Sequence, residues 1–396
     1  MAPERHITNF ILGSELKLIR TRSFRNGRIW DCEKVSKNGE VCPKCAHLAT
    51  GRSGVAFTQV KDEDVRGQVI WLRIKKHRYY CKPCKKPFTE PVRGILPRRR
   101  TTQRLRMRIL KDCEDLVNLS RVAERHFCSR ALVGKIFYEQ MEIKLRERLT
   151  APWPRVLGID EHRFKRGEKG FAEFVTMLTD VGRRKAFEVA ETKNTKSLYQ
   201  SLQHIPHPER VQTVVLDLSR GYKSFARTMF PNARLVADKF HVLRLVTPSI
   251  IKERKNIHGH RQELHIRRQL LRNREKLDYF EISDLDRYLQ QHPKLEELYR
   301  YKERLHQLYR TKGYKRATIA LEKLLEQMKT SKYEEILRLR RTLRDWRNEI
   351  LEYFRSRYTN AFTESMNSIA KLVQRRGCGY RNFRNYRLRT LNACPS

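Results

Sequence analysis

The stretch Val211-Gln212-Thr213-Val214-Val215-Leu216-Asp217 decides the fold class, because a short apolar run closed by an acid is typical of a buried strand in an α/β sheet. A second run of this kind covers residues 155–160 and ends in Asp160. By the same test of hydrophobic period, residues 171–180 and 184–190 are predicted to be strands and residues near 197–203 a helix. The C-terminal part of the chain is therefore predicted to be an α/β domain.

A helix over residues 221–230 and a fifth strand over residues 233–238 come next. Three successive strands, then helix, strand, helix and strand, is by analogy the order of a ribonuclease-H-like fold. The first and fourth strands are neighbours in that order, so Asp160 and Asp217 are expected side by side. Pro152-Trp153-Pro154 marks the boundary before this domain.

We assign residues 155–396 to this domain and expect a helical insertion over about residues 243–357, where few glycines or prolines occur. Apolar residues recur there at steps of three and four, as in Ile336, Leu339, Leu343, Trp346, Ile350 and Tyr353. Packed helices are the expected use of this pattern, with an extended coiled coil as the alternative.

The segment after the insertion is predicted to be an amphipathic helix with Asn360 as its N-cap. Its apolar face consists of Phe362, Met366, Ile369 and Val373, and its polar face of Glu364, Asn367, Lys371 and Arg375. Docking of the apolar face on the sheet would hold Glu364 near the sheet edge. Asn367, Lys371 and Arg375 are candidate DNA contacts on the same polar strip.

Asp160, Asp217 and Glu364 are candidate catalytic acids and ligands, because carboxylate oxygens suit Mg²⁺ or Mn²⁺. Two such ions about 4 Å apart can activate a water or a DNA 3′-hydroxyl and stabilise the leaving oxygen of an in-line displacement. Asp238 is the main rival for a ligand position. His241 is a candidate base or phosphate contact, and a packing or capping role is the alternative.

Four of the nine cysteines form two close pairs, Cys42 with Cys45 and Cys81 with Cys84. Two Cys-x-x-Cys turns complete a tetrahedral site for structural Zn²⁺ and leave no open position for catalysis. Short alternating stretches surround the pairs, so we predict a β-rich zinc ribbon over residues 1–95. A redox function of the pairs is the weaker alternative.

Residues 101–150 are predicted to form a helix-turn-helix DNA-binding domain. Val122 and Val133 would face a shared core, and Ser129 is a good N-cap for the second helix of the motif. Arg130 and Lys135 on that helix are candidate DNA contacts. Phe127 stands near the turn position where glycine is common.

The chain carries 86 Lys plus Arg against 44 Asp plus Glu, a formal net charge of +42. Such an excess predicts a polyanionic partner, with nucleic acid before an anionic membrane. No segment approaches the roughly 20 apolar residues of a membrane span, so a membrane partner has little support. Double-stranded DNA is therefore the expected partner. No secretory signal is recognised at the N-terminus, so a cytoplasmic, nucleoid-associated protein is expected.

Taken together, these motifs resemble those of the ISL-three family of DDE insertion-sequence transposases. The most specific stretches are Gly158-Ile159-Asp160-Glu161-His162 and Asp238-Lys239-Phe240-His241-Val242, together with the spacing of the acids. The resemblance implies Asp160, Asp217 and Glu364 as the catalytic acids. It also implies that the N-terminal modules bind the terminal inverted repeats of the element.

These observations predict a transposase that cuts and joins DNA as a homodimer or larger assembly. A metal-dependent DNA nuclease of the same fold without strand transfer is one alternative. A DNA-binding regulator that has lost catalysis is the other. Joining of a cut 3′-end to new DNA separates the first two, and dependence on the three acids separates both from the third.

Overall fold

The computed structural model describes residues 15–35, 39–115, 118–166, 172–259 and 264–394. The chain divides into two compact units, Met1–Lys144 and Leu145–Ser396. Residues 1–95, predicted as a zinc ribbon, and residues 101–144 of the predicted helix-turn-helix domain thus lie in one unit. Residues 145–150, which we expected to end the helix-turn-helix domain, lie in the other.

The first unit begins with a mixed sheet of five strands. Its strands are β1 (Leu16–Phe24), β2 (Gly27–Lys34), β5 (Arg52–Lys61), β6 (Val69–Cys81) and β7 (Lys86–Thr89), and a small hairpin consists of β3 (Glu40–Val41) and β4 (Leu48–Ala49). The order is β1-β2-β6-β5, with β7 on the end of β6, and only β2 and β6 pair in parallel. Alternate residues of β6, among them Ile70, Leu72 and Ile74, fill the core beneath the sheet.

The described residues of this unit also form three helices, namely α1 (Gln103–Asp115), α2 (Leu119–Arg125) and α3 (Arg130–Lys144). Val122 and Val133 are fully buried, as predicted. Ser129 is confirmed as a cap, because its Oγ accepts from the amide of Leu132 at 3.2 Å. Phe127 in the turn between α2 and α3 has φ 49°, the left-handed conformation that favours glycine.

A buried lysine at the end of β5 joins the sheet to the helices of this unit. Lys61 is 6% exposed, and its ammonium donates to the carbonyl oxygens of His126, at 2.7 Å, and Phe127. These carbonyls end α2, where helix groups lack intrahelical partners. The sheet therefore supports the turn that positions α3.

The second unit contains a five-stranded sheet. Its strands are β8 (Val156–Arg166), β9 (Ala172–Asp180), β10 (Lys185–Ala190), β11 (Thr213–Leu216) and β12 (Arg234–Ala237). The order is β10-β9-β8-β11-β12, antiparallel on the β10 side and parallel from β8 to β12.

The predicted pairing of the first and fourth strands is confirmed. One prediction was wrong: β8 does not end at Asp160 but continues to Arg166, because its outer half keeps pairing with β9. Phe171, the predicted start of β9, lies outside the described residues.

Helices cover this sheet and form the insertion. They are α4 (Arg146–Leu149), α5 (Thr195–Leu202), α6 (Arg220–Met229), α7 (Lys239–Leu243), α8 (Thr247–His258), α9 (Leu264–Leu271), α10 (Tyr279–Gln290), α11 (Pro293–Arg310), α12 (Tyr314–Lys329), α13 (Glu334–Asp345), α14 (Arg347–Ser356), α15 (Ala361–Arg376) and α16 (Phe383–Ala393). The insertion consists of α8 to α14, and its leucine and aromatic stripes pack into the same core as the sheet. Packed helices are therefore confirmed for the described part of the insertion. None of the helices described in either unit is long and apolar enough to cross a membrane.

Helix α15 packs across β8 and β9. A glycine permits this close approach: a Cβ on Gly158 would lie 2.4 Å from Thr363 Oγ1 and 2.8 Å from Asn360 Oδ1. The buried face of the helix consists of Thr363, Met366, Asn367 and Ala370. The buried face of α15 is therefore rotated by about one residue from the predicted apolar face. The reason is that the polar side chains of Thr363 and Asn367, which have partners on the sheet, occupy the interface.

Candidate active site

Asp160 and Asp217 follow the last rung of a parallel strand pair. Ile159 on β8 pairs with Leu216 on β11, and each aspartate is the next residue on its strand. Both side chains are half-buried. The sheet therefore holds two carboxylates side by side, as the sequence predicted, at the point where the parallel pairing of β8 with β11 stops. Strand β11 ends there, whereas β8 continues to Arg166.

Both oxygens of Asp160 accept hydrogen bonds from the chain. Oδ1 accepts from the amide of Glu161 at 2.8 Å, and Oδ2 accepts from Asn367 Nδ2 at 2.8 Å. Burial raises the pKa of Asp160, and the negative charge of Glu364 acts in the same direction. Glu364 therefore lies close enough to Asp160 for the two charges to repel.

Burial raises the pKa of Asp217 to about 6, and the charges of Asp160 and Glu161 add to the effect while His241 opposes it. One carboxylate oxygen of Asp217 accepts from the Ser219 amide at 3.2 Å. Carboxylates crowded in this way repel one another, and the ionised set is stabilised by a cation.

Glu364 lies in the first turn of α15 with its side chain 35% exposed. Its carboxylate and ligand atoms of Asp238 and His241 lie within 4.8 Å of one another. The exposed guanidinium of Arg244 is 3.9 Å from Glu364 Oε1. The third predicted acid therefore lies beside the two residues that the sequence marked as accessory.

Asp238 is the N-cap of α7 and is fully buried. Its Oδ2 accepts from the amides of Phe240 and His241 and from His241 Nδ1, while Oδ1 accepts from the Asn360 amide at 2.8 Å. Burial alone raises its pKa, but the bonds from His241 and Asn360 outweigh that effect and hold the pKa of Asp238 below its ordinary value. These bonds make Asp238 a cap that joins α7 to the start of α15, while Oδ1 keeps one lone pair for a further partner.

Asn360 differs from its predicted role. It stands at the N-cap position of α15, but its side chain makes no capping bond there. Instead Asn360 Nδ2 donates to the carbonyl of Ile159 at 2.7 Å. The residue therefore anchors the helix to β8 directly beside Asp160.

His241 is half-buried, and its bond to Asp238 raises its pKa, with the charges of Asp217 and Asp160 acting in the same direction. Asp217 and Asp160 would therefore stabilise the protonated form of the imidazole, an interaction that no capping role requires. Both expected readings of His241, a packing or capping residue and a residue of the site, have geometric support.

Two residues beside Asp160 belong to the site, and their roles were not predicted. His162 shares the face of β8 that carries Asp160, and its Nδ1 lies 2.7 Å from Asn367 Oδ1 while its Nε2 contacts the hydroxyl of Tyr386. Burial lowers the pKa of His162 to about 4, so the ring is neutral. Glu161 lies on the opposite face of β8, where it accepts from the Tyr222 hydroxyl at 3.1 Å. The two-residue period of a strand was the available signal for His162.

The candidate DNA contacts fall into two groups. Arg130 and Lys135 are exposed on α3, and Lys371 and Arg375 are exposed on α15. Asn367 does not belong with them: it is 2% exposed, and its amide is bonded to Asp160 and His162. Its predicted role as a surface DNA contact does not agree with this position.

The carboxylates fit a divalent cation by their chemistry, because Asp160, Asp217 and Glu364 offer hard oxygen ligands. The negative charges of Asp160 and Glu364 repel each other, as do those of Asp160 and Asp217, and a cation would offset this repulsion. Among the described residues, the groups with three or more ligand atoms within 4.8 Å are the four cysteines and the set Asp238, His241 and Glu364. The three acids thus do not converge on one point.

The sulphur atoms of Cys42, Cys45, Cys81 and Cys84 also lie within 4.8 Å of one another. A tetrahedral ion with Zn–S bonds of about 2.3 Å requires S–S separations of about 3.8 Å. The Sγ atoms of Cys45 and Cys81 lie 3.4 Å apart, slightly closer than that separation. Each pair forms a turn whose next residue, Ala46 or Lys85, has positive φ. The four cysteines therefore form a candidate metal centre.

The amides of Lys44 and Cys45 lower the pKa of Cys42 to about 7. Amide groups directed at a thiol stabilise its thiolate, the form that binds metal. The turn at Cys42 is therefore prepared for metal binding by its backbone.

A family model described as a transposase, that of the ISL3 type of DDE transposases, matches residues 157–390. The transposase for insertion sequence element IS1001 of Bordetella parapertussis is 22% identical over 371 residues, which cover 90% of this chain and 89% of that relative. The matched region includes every strand of the second sheet except the first residue of β8, and it includes all three acids. This chain belongs to the ISL3 family of transposases.

Proposed function

We propose that the chain binds the terminal inverted repeats of an insertion sequence and catalyses metal-dependent cleavage and transfer of DNA strands. The observation that carries the proposal is the placement of Asp160 and Asp217 directly after the last paired residues of two parallel strands, with Glu364 on a helix docked beside them. Membership of a transposase family supports the same reaction class.

The second unit is proposed to be a ribonuclease-H-like core with a helical insertion. Its order β10-β9-β8-β11-β12, with one antiparallel and one parallel half, supports this assignment. In the first unit, α2 and α3 are proposed to be a helix-turn-helix, and the four-cysteine region a zinc ribbon. Residues 1–95, 101–150 and 155–396 remain our proposed functional divisions of the chain.

Asp160, Asp217 and Glu364 would hold two Mg²⁺ or Mn²⁺ ions. Bound there, the ions would lower the pKa of a water or a 3′-hydroxyl and neutralise charge on the phosphate under attack. The sheet holds two of these carboxylates in a fixed relation before substrate arrives, and such preorganisation lowers the barrier.

Basic groups around the acids are proposed to contact the DNA backbone. Arg244 is 66% exposed and stands beside Glu364, and Lys371 and Arg375 continue along α15. His241 keeps its Nδ1 on Asp238, which leaves Nε2 to contact a phosphate. Contacts of this type position the strand without reading its sequence.

Recognition of the element ends is assigned to the first unit. Zn²⁺ held by Cys42, Cys45, Cys81 and Cys84 would stabilise the ribbon, and Arg130 and Lys135 on α3 would reach the DNA. The named relative acts for an insertion sequence, which supports element ends as the DNA substrate. A homodimer or larger assembly would hold two ends together.

The test is cleavage and joining of a labelled element-end duplex with Mg²⁺, comparing the natural chain with Asp217→Asn. We expect cleavage and joining in the natural chain and loss of both in the variant. Cleavage without joining would favour a nuclease. Specific end binding without cleavage in either protein, with Mn²⁺ and a paired second end supplied, would favour a regulator.

A further inference from the structure

We propose that Tyr386, His162 and Asn367 form a hydrogen-bonded chain that fixes the carboxylate of Asp160 for cation binding. The three are positioning residues, since they act through Asp160 rather than on the DNA. The inference rests on the proposed function in one respect, namely that Asp160 binds a divalent cation.

The chain of contacts is continuous and buried. Asn367 Nδ2 is 2.8 Å from Asp160 Oδ2, Asn367 Oδ1 is 2.7 Å from His162 Nδ1, and His162 Nε2 contacts the Tyr386 hydroxyl. His162 and Asn367 are each 2% exposed and Tyr386 is fully buried, so water does not compete for these bonds. Three separate elements, β8, α15 and α16, are thereby tied to one carboxylate oxygen.

The direction of each bond follows from the carboxylate. An ionised carboxylate only accepts, so the atom of Asn367 that faces Asp160 must be its NH₂ group. The amide oxygen of Asn367 then faces His162, and Nδ1 of that ring must carry the proton. In the neutral ring Nε2 is left as an acceptor, and the Tyr386 hydroxyl donates to it.

The arrangement leaves coordination sites on Asp160 itself. A carboxylate has about four lone-pair positions, and two of those on Asp160 are taken by Asn367 and by the Glu161 amide. Both oxygens are therefore fixed in direction, with one lone pair on each remaining for an ion. Buried hydrogen bonds to ligating carboxylates set their orientation in this way.

The Tyr386 hydroxyl is separable from the packing of its ring. The ring packs against Phe164 at 4.8 Å and Tyr380 at 5.4 Å between centroids. Tyr386→Phe keeps those contacts and removes only the last link of the chain. Tyr301→Phe is the matched control, because Tyr301 is also buried and its hydroxyl donates to a carbonyl, that of Gln327 at 2.8 Å, within the insertion.

The experiment measures Mn²⁺ affinity of the full chain by calorimetry without DNA, so that the readout does not depend on catalysis. We expect Asn367→Leu to weaken Mn²⁺ binding by about 10- to 100-fold, Tyr386→Phe to weaken it less, and Tyr301→Phe to leave it unchanged. Nitrogen NMR of His162 should show a protonated Nδ1 in the natural chain and loss of that preference in Asn367→Leu.

Unchanged Mn²⁺ affinity in a folded Asn367→Leu chain, or equal losses in Tyr386→Phe and Tyr301→Phe, would overturn the inference. Should Asn367→Leu not fold, the comparison of the two tyrosine variants decides alone. Asp160→Asn separates the inference from the proposed function. If Asp160→Asn weakens Mn²⁺ binding but Asn367→Leu and Tyr386→Phe do not, only the inference is overturned. Unchanged Mn²⁺ affinity in Asp160→Asn would remove both the inference and the proposed role of Asp160.

Discussion

Replacement of Gly158 by alanine tests how closely α15 must approach the sheet. The added Cβ would lie 2.4 Å from Thr363 Oγ1, 2.6 Å from Thr179 Oγ1 and 2.8 Å from Asn360 Oδ1, whereas ordinary contact begins near 3.4 Å. The threonine side chains are β-branched and cannot turn aside easily. The start of α15 must therefore move by about 1 Å, the size of the largest shortfall.

The cost of that movement can be estimated from the contacts involved. Overpacking a tight interior costs about 1–3 kcal/mol. The shift also strains the 2.7 Å bond between Thr179 and Thr363 and the 2.7 Å bond from Asn360 to Ile159, each worth about 1 kcal/mol. A loss of about 2–4 kcal/mol lowers the unfolding temperature of a unit of this size by roughly 4–16 °C.

Thermal unfolding of Gly158→Ala and Gly182→Ala measures this effect. Gly182 is the matched control, because a Cβ there meets Asp180 Oδ1 at 3.4 Å and nothing closer. A displacement of 1 Å at the proposed site also predicts a loss of about 100-fold in strand cleavage. An unfolding temperature of Gly158→Ala equal to that of Gly182→Ala would refute the packing argument, whatever the activity.

Three further changes have defined outcomes. Cys42→Ser should abolish zinc binding, measured by atomic emission, and loosen the first unit, whereas Cys378→Ser at an exposed position should retain the zinc. Lys61→Met removes the donor to the buried carbonyl of His126 and to the part-buried carbonyl of Phe127, and should destabilise the first unit by about 1–3 kcal/mol in denaturant titrations, with weaker binding of element ends. Asp217 has a pKa of about 6 in the folded chain against 3.8 as the ordinary value, so the folded state binds the proton more tightly and loses stability as pH rises from about 4 through 6. Asp217→Asn should therefore raise the unfolding temperature at pH 7 in chelator, with no gain below pH 4, and Mg²⁺ should stabilise the natural chain more than the variant.

Each of these outcomes has a clear opposite. Retention of zinc in Cys42→Ser would mean that the four cysteines do not share an ion. Unchanged stability of Lys61→Met would show that the turn carbonyls find other partners. A lower unfolding temperature for Asp217→Asn at pH 7 in chelator would contradict the repulsion assigned to the ionised acids.

Much of this architecture was predictable because its signals are local. Period-two and apolar runs identified β9 to β12 within a few residues, and the Cys-x-x-Cys pairs marked the cluster that the structure brings together. These inferences depend on hydrophobic period and residue spacing alone. Asp160 and Asp217 were expected as neighbours by analogy with the strand order of a known fold, which the order of elements along the chain suggested.

The rotation of α15 was decided only by tertiary structure. An apolar stripe predicts burial of Phe362 and Ile369, but Thr363 and Asn367 take the interface instead. They do so because Thr179 and Asp160 on the sheet satisfy their polar groups, and a buried polar group is tolerated only when it is bonded. The sequence contains no local sign of those distant partners.

The contacts of Asp238, His162 and Lys61 were likewise decided by segments that are distant in sequence. Asp238 accepts hydrogen bonds from α7 and from Asn360, His162 joins α15 to α16, and Lys61 ends a strand while supporting a helical turn. The sequence by itself determined which elements form and that Asp160 and Asp217 follow apolar strand residues, since hydrophobic period and turn chemistry act over a few residues. Only the folded chain decided which polar group each buried side chain meets, because hydrogen bonds require partners within about 3 Å, whatever their separation in sequence.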